Sequence, residues 1–163
     1  IKYLKESLGA GGASDLVEKL KGLRIDNERL QGQNKNLKNL IARLGKGSEK
    51  AACWADAKTG RTKNIYDVGI TSVGFKIRKR AYPEWSDAKR LPLVDESLLG
   101  KELTERQFKN SVRPIFRWSV GNECRFHVRL FDLTKVNDMK IYKSRRLILE
   151  DYFFKFERHN EIW

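Results

Sequence analysis

The sequence predicts an α+β protein: an N-terminal parallel dimeric coiled coil over residues 13–45, a hinge at 46–52, and a small β-β-α-β-α sandwich over 53–163. Residues 1–12 form a short leading segment. Three observations carry this. Leucine recurs at every seventh position from Leu16 to Leu44. Residues 65–78 and 124–133 alternate apolar with polar side chains, the period of a half-buried strand. Residues 104–119 and 138–156 instead repeat their apolar side chains at helical spacing.

The coil comes first. Leu16, Leu23, Leu30, Leu37 and Leu44 occupy the d positions of a heptad, and Ala13, Leu20, Asn27, Asn34 and Ile41 the a positions. Seven residues make nearly two turns, so these side chains form one stripe that a single helix would leave in water. The dimerisation set is therefore Leu16, Leu20, Leu23, Asn27, Leu30, Asn34, Leu37, Ile41 and Leu44. Asparagine at a is costly in an apolar seam, but two copies hydrogen-bond across a parallel dimer and disfavour trimers and shifted registers. The competing reading folds the stripe back onto the chain's own domain. Flanking charges help little, because Lys19 at g faces Arg24 at e. Gly22 and Gly32 on the outer face weaken the helix by about 1 kcal/mol each. Upstream, Gly9-Ala10-Gly11-Gly12 is expected to interrupt the helix, with Ser14 or Asp15 capping a new start. That break argues against a basic region running into a zipper. Gly45-Lys46-Gly47-Ser48 is expected to end the coil and begin the hinge.

In the second region Ile65–Ile70 reads as a strand, with residues 73–78 as its hairpin partner. Phe75 and Ile77 face inward and Lys76 and Arg78 outward. Residues 81–100 are a long connection carrying Pro83 and Pro92, pinned to the core by Trp85 and residues 91–94. A helix follows, opened by a Thr104/Gln107 capping box and a Leu103/Phe108 staple, with Phe108, Val112, Ile115 and Phe116 inward. Pro114 is expected to kink it or mark a second start. After Gly121-Asn122, Phe126, Val128 and Leu130 alternate with Arg125, His127 and Arg129. Asn137 or Asp138 caps the last helix, whose inner stripe is Ile141, Ile148, Tyr152 and Phe156.

Cys53 and Cys124 are the two cysteines, and neither lies in a CxxC. His127 and His159 stand far apart, so no metal site is expected. Buried free thiols are the default for such cysteines, and pairing is an alternative in an oxidising compartment. No GxSxG, Walker loop or HExxH occurs, so the chain reads as non-enzymatic, without cofactor or small-molecule substrate. Asp132, at a strand end, is the one carboxylate in a position suited to catalysis, and such aspartates more often close turns.

The formal net charge of +13 suggests an anionic partner. Residues 76–90 carry six basic residues against Glu84 and Asp87, and residues 123–149 are similarly basic. One reading is thus a cytosolic dimer binding nucleic acid through Lys76, Arg78, Lys79, Arg80, Arg125 and Arg129, which alternate with strand core positions.

The other reading comes from a resemblance. Phe126–Asp132, followed by Ser144-Arg145-Arg146 and Asp151-Tyr152-Phe153, resembles the last strand and helix of the OmpA-like domain family, which includes the MotB-type subunit of ion-driven stators. The helix over 104–119 fits the family's order. The resemblance implies a domain in which an aspartate and an arginine grip the diaminopimelate of peptidoglycan. The matching positions are Asp132 and Arg146, or Arg145. It also implies a bacterial envelope location and peptidoglycan or a membrane motor-like protein as partner, with a stator-like or defence complex as context. The chain opens on Ile1, and an upstream membrane anchor is the expectation that goes with this reading.

Overall fold

In a computed structural model, the structure describes residues 2–44 (side chains from 14 to 41), 50–80, 91–134, 138–158 and 163. Among the described residues the fold is mixed α/β, with three α-helices and two sheets. Helix α1 spans Lys2–Leu44. It runs through Gly9–Gly12, so the expected break is absent. Each glycine costs about 1 kcal/mol of helix propensity, but none removes a backbone donor as proline would. Of the expected hinge at 46–52, residues 46–49 lie outside the described residues, as do Pro83, Trp85 and Asn137, but Ala51 and Ala52 are buried in a strand rather than free in a hinge, because they pair with Cys124 and Arg125.

Strands β1 (Ala51–Ala52) and β5 (Cys124–Arg125) make a small parallel pair. The main sheet holds β2 (Asn64–Thr71), β3 (Phe75–Lys79), β4 (Glu102–Leu103), β6 (His127–Leu133) and β7 (Phe154–Glu157), in the order β4-β3-β2-β6-β7. β2 and β3 form the expected hairpin. Gly74 is required at its tip, because a Cβ there would lie 1.9 Å from the Leu103 carbonyl oxygen on β4. β6 runs parallel to β2, and β7 parallel to β6.

Helix α2 (Glu105–Gly121) opens with the predicted capping box. Thr104 Oγ1 accepts from the Gln107 backbone at 3.3 Å, and the Thr104 backbone donates to Gln107 Oε1 at 2.9 Å. Pro114 lies inside this helix on its exposed side, and the helix continues through it. Helix α3 (Met139–Glu150) starts at Asp138, whose side chain makes no capping bond. It is shorter than expected. The chain leaves the helix and Phe154–Glu157 forms β7, since Phe-Lys-Phe-Glu alternates with period two and finds an open sheet edge at β6. Phe156 is therefore an exposed strand residue, and Tyr142 and Leu149 are the most buried residues of α3.

Helices α2 and α3 cover one face of the sheet. Phe108, Val112 and Ile115 pack there with Leu149 against Val68, Ile70, Phe75, Ile77, Val128 and Leu130, all essentially inaccessible to solvent. Phe75 and Phe108 stack at 4.0 Å. Burial of side chains this size contributes roughly 1.5–3 kcal/mol each.

Cys53 and Cys124 form a disulfide, with Cα atoms 4.9 Å apart. The free-thiol default is thereby overturned: the parallel β1–β5 pairing brings the two residues side by side, a proximity no local pattern announces.

Candidate functional site

Helix α1 has two working faces. One bonds to the domain. Asn36 is buried, donates through Nδ2 to the Gly60 carbonyl (2.9 Å) and Thr62 Oγ1 (3.2 Å), and accepts from the Ala52 backbone (3.1 Å). Gln33, also buried, donates to the Cys53 carbonyl at 3.2 Å. Asn39 donates to the Thr59 carbonyl and Lys35 to the Lys58 carbonyl. Gly32 is buried here, against the backbone at Ala55. At 3.6 residues per turn, Gly32, Gln33, Asn36 and Asn39 share one side of the helix, and the leucine stripe lies on the other. Leu20, Leu23, Leu30 and Ile41 are all more than half exposed, and Leu16 is 41% exposed. Asn27 and Asn34 are exposed and Leu37 is partly covered, whereas the Leu44 side chain lies outside the described residues. The chain's own domain thus takes the polar face and leaves the heptad stripe in solvent.

The sheet face opposite α2 and α3 carries the candidate anion-binding residues. Register places Phe156, Arg129, Asp67 and Arg78 in one cross-strand row, on β7, β6, β2 and β3. The Asp67 side chain is 2% exposed and gathers the guanidinium groups. Arg129 grips it with two bonds of 2.7 Å, Arg78 reaches it at 3.0 Å, and Arg80 lies 3.9 Å away. Burial pushes the Asp67 carboxyl up, but these hydrogen bonds and the charges of Arg129 and Arg80 more than offset it, holding it below its usual range. Arg78 also stacks over Trp163, 4.6 Å from the ring centre.

The other candidates fall elsewhere. Lys79 pairs with Glu96 at 3.5 Å, and Lys76 is partly exposed beside Glu102 of β4. Arg125 donates to the carbonyls of Glu150 and Asp151, closing the C-terminal end of α3. Asp132 takes the Thr134 amide (2.9 Å) and hydroxyl (2.7 Å) in its own turn. Arg145 donates to the Thr71 and Val73 carbonyls and lies 3.4 Å from Glu105. Arg146 pairs with Glu150 and Glu157. These three sets of partners do not overlap, so Asp132 and the two arginines are each engaged with separate parts of the fold.

Two cavities border α1. One, of about 480 Å³, lies between the helix and β7; Asn36, Leu40 and Lys50 meet His127, Phe154 and Phe156 there. His127 lies 5.1 Å from the Phe154 ring and 5.6 Å from that of Phe156. Burial, with the charge of Arg125, drives its imidazole down to about 4, so it is neutral at pH 7. The other cavity, of about 260 Å³, lies between Trp54 and Trp118. Arg29 sits over the Trp118 indole at 5.4 Å and Lys63 over that of Trp54 at 5.5 Å. Sequence reading placed His127 on the outward side of its strand but missed Phe154 as its aromatic neighbour. The period-two run at 153–157 was the available signal.

Among the described residues, no helix is long and apolar enough to cross a membrane, and no cluster of His, Cys, Asp and Glu suits a metal ion. The chain matches no protein-family model, no curated protein and no solved structure.

Proposed function

We propose that the chain is a non-enzymatic homodimeric binding protein, joined in parallel through the leucine stripe of α1, whose paired α/β domains grip an extended polymer. The observation that carries this is the division of α1 into two faces. Polar residues Gln33, Asn36 and Asn39 hold the helix to its own domain. The heptad stripe stays exposed, with Leu23 at 66%. A stripe of this kind lowers its free energy by burial at roughly 25 cal/mol per Å², and a second copy offers the matching seam. Asn27 and Asn34 select two strands and a fixed register.

The disulfide supports an oxidising compartment, such as the bacterial envelope of the OmpA-like reading, over the cytosol. Two domains held side by side raise the effective concentration of the second binding event, so weak single contacts suffice for a polymer. Light scattering tests the dimer directly. Wild type is expected at twice the monomer mass. Leu23→Glu with Leu30→Glu is expected at the monomer mass with the near-UV spectrum of the domain retained, because both side chains are more than half exposed. A wild-type monomer at high micromolar concentration would sink the reading.

A further inference from the structure

We propose that the outer face of the helix layer, α2 together with α3, docks on an anionic membrane and takes the phosphate headgroups of acidic phospholipids. This goes beyond the polymer-gripping reading and stands independently of the dimer.

The charge is arranged on α2. Phe108, Val112 and Ile115 turn one side of this helix into the core, so the opposite side faces solvent. At about 100° per residue, Arg106, Arg113 and Arg117 fall within a sector of about 40° on that side, with Lys109 beside them. The three arginines are exposed and Lys109 is half-buried. From Arg106 to Arg117 the stripe runs about 16 Å along the axis. Among the described residues none of the four has an ion-pair or hydrogen-bond partner. The only acid of α2, Glu105, is turned to Arg145 at 3.4 Å. Like charges three and four residues apart repel and weaken a helix. A surface kept only for solubility interleaves acids, as α1 does with its Asp15–Lys19 and Arg24–Glu28 pairs.

Helix α3 widens the stripe into a surface. Tyr142 and Leu149 turn it onto the same sheet face as α2, which sends Lys140, Lys143 and Leu147 outward. The Glu105–Arg145 pair joins the two helices, and the Tyr152 ring at the end of α3 meets Phe108 and Phe116 of α2. The layer therefore presents basic side chains from two neighbouring helices. It also leaves large apolar side chains in water: Leu147 is 59% exposed, Met139 57% and Val120 49%. An anionic bilayer satisfies both kinds of side chain. Its phosphates meet the guanidinium groups, which bind phosphate by paired hydrogen bonds, and its acyl boundary takes the apolar side chains. A nucleic-acid backbone matches the cations and leaves Leu147, Met139 and Val120 in water.

The test is flotation of the full chain with vesicles of phosphatidylcholine, alone or mixed with phosphatidylglycerol, at rising salt. Binding is expected to the mixed vesicles only, and to fall as salt rises. Arg106→Gln with Arg113→Gln and Arg117→Gln is expected to weaken it by on the order of a hundredfold, about fivefold for each arginine, with the near-UV spectrum unchanged. Lys21→Gln with Lys38→Gln and Lys58→Gln removes the same charge from exposed positions on or beside α1, and should leave binding nearly intact. Leu147→Gln is expected to lose several-fold at low and high salt alike, because apolar burial is not screened. Equal losses in the two triple variants would assign the binding to net charge and overturn the proposal. So would failure to float with mixed vesicles at low salt, or a Leu147 variant that binds as wild type. Displacement by duplex DNA at equal phosphate concentration would overturn it too, naming nucleic acid as the occupant. Scattering mass on the same samples reports the dimer separately, so a monomer that floats through the arginine stripe removes only the dimer.

Discussion

Gly32 of α1 lies against the carbonyl of Ala55: a methyl group on Gly32 would come within 2.5 Å of that oxygen and 3.2 Å of its carbon. The helix backbone therefore touches the domain with nothing between. On an isolated helix, Gly32→Ala is expected to stabilise by about 1 kcal/mol. Here it should do the opposite, because the obstruction is backbone and cannot rotate away. The expected outcome is loss of the Asn36 and Gln33 bonds with α1 helicity intact. Hydrogen exchange at residues 51–62 reads it, and unchanged protection there would refute the docking.

The disulfide closes a loop across 71 positions of sequence. Chain entropy assigns such a closure about 4 kcal/mol, and measured bridges commonly give 2–4. Cys53→Ser with Cys124→Ser is expected to lower unfolding stability in urea by that amount. Since Cys53 bonds through its amide to the Arg125 carbonyl of β5 and accepts through its carbonyl from Gln33 of α1, helix docking should loosen first.

How much of this was legible in the sequence divides along one physical line. Elements set by local periodicity could be read: the β2–β3 hairpin, the capping box at Thr104, and the inward Phe126, Val128 and Leu130. What depended on tertiary competition could not. The glycines at 9–12 looked like a break because propensity is a local quantity. The last helix was read through residue 156 because Tyr152 and Phe156 keep its spacing; the open edge of β6 decides otherwise. Gly32 is placed correctly on the side away from the leucines. Only the fold shows that this side faces the chain's own backbone. Of the basic candidates, Arg78, Arg80 and Arg129 converge because a buried Asp67 lies between their strands, and Asp67 carries no sequence signal beyond one charge in an apolar run.

Asp67 should be a principal polar anchor of the sheet. Asp67→Asn removes the buried carboxylate that Arg129 and Arg78 grip, and breaking a buried pair this way costs about 3 kcal/mol. The folded carboxyl titrates below its ordinary value of 3.8. Its contribution is therefore complete above 3.8 and is lost as pH falls through the lower, folded value. Acid unfolding of wild type and Asp67→Asn should converge at the acid end; parallel curves would show the carboxylate to be idle.

His127 acts in a different window. Its folded value of about 4 lies below the ordinary 6.5, so between the two the unfolded chain binds a proton that the folded chain refuses. Stability is expected to fall as pH drops from 6.5 to 4, by on the order of 2–3 kcal/mol at full extent. His127→Phe keeps the ring between Phe154 and Phe156 and removes the titration. Its urea midpoint should stay flat through that window, and a slope equal to wild type would place the effect on other groups.

Asn27 and Asn34 test the register of the proposed dimer. Both are exposed in the single chain, and the bond that Asn27 accepts from Gln31 Nε2 at 2.7 Å lies within α1 itself. Leucine at both positions makes the seam continuously apolar and removes the one feature that favours two strands over more. Asn27→Leu with Asn34→Leu is expected to raise thermal stability of the coil while shifting mass from dimer toward trimer or tetramer. If the helix instead met a different partner face, or paired antiparallel, the two asparagines would not lie opposite their own copies. The double variant would then keep the wild-type mass. An unchanged mass in sedimentation velocity therefore removes the parallel register, and a shift to higher mass supports both the seam and its orientation.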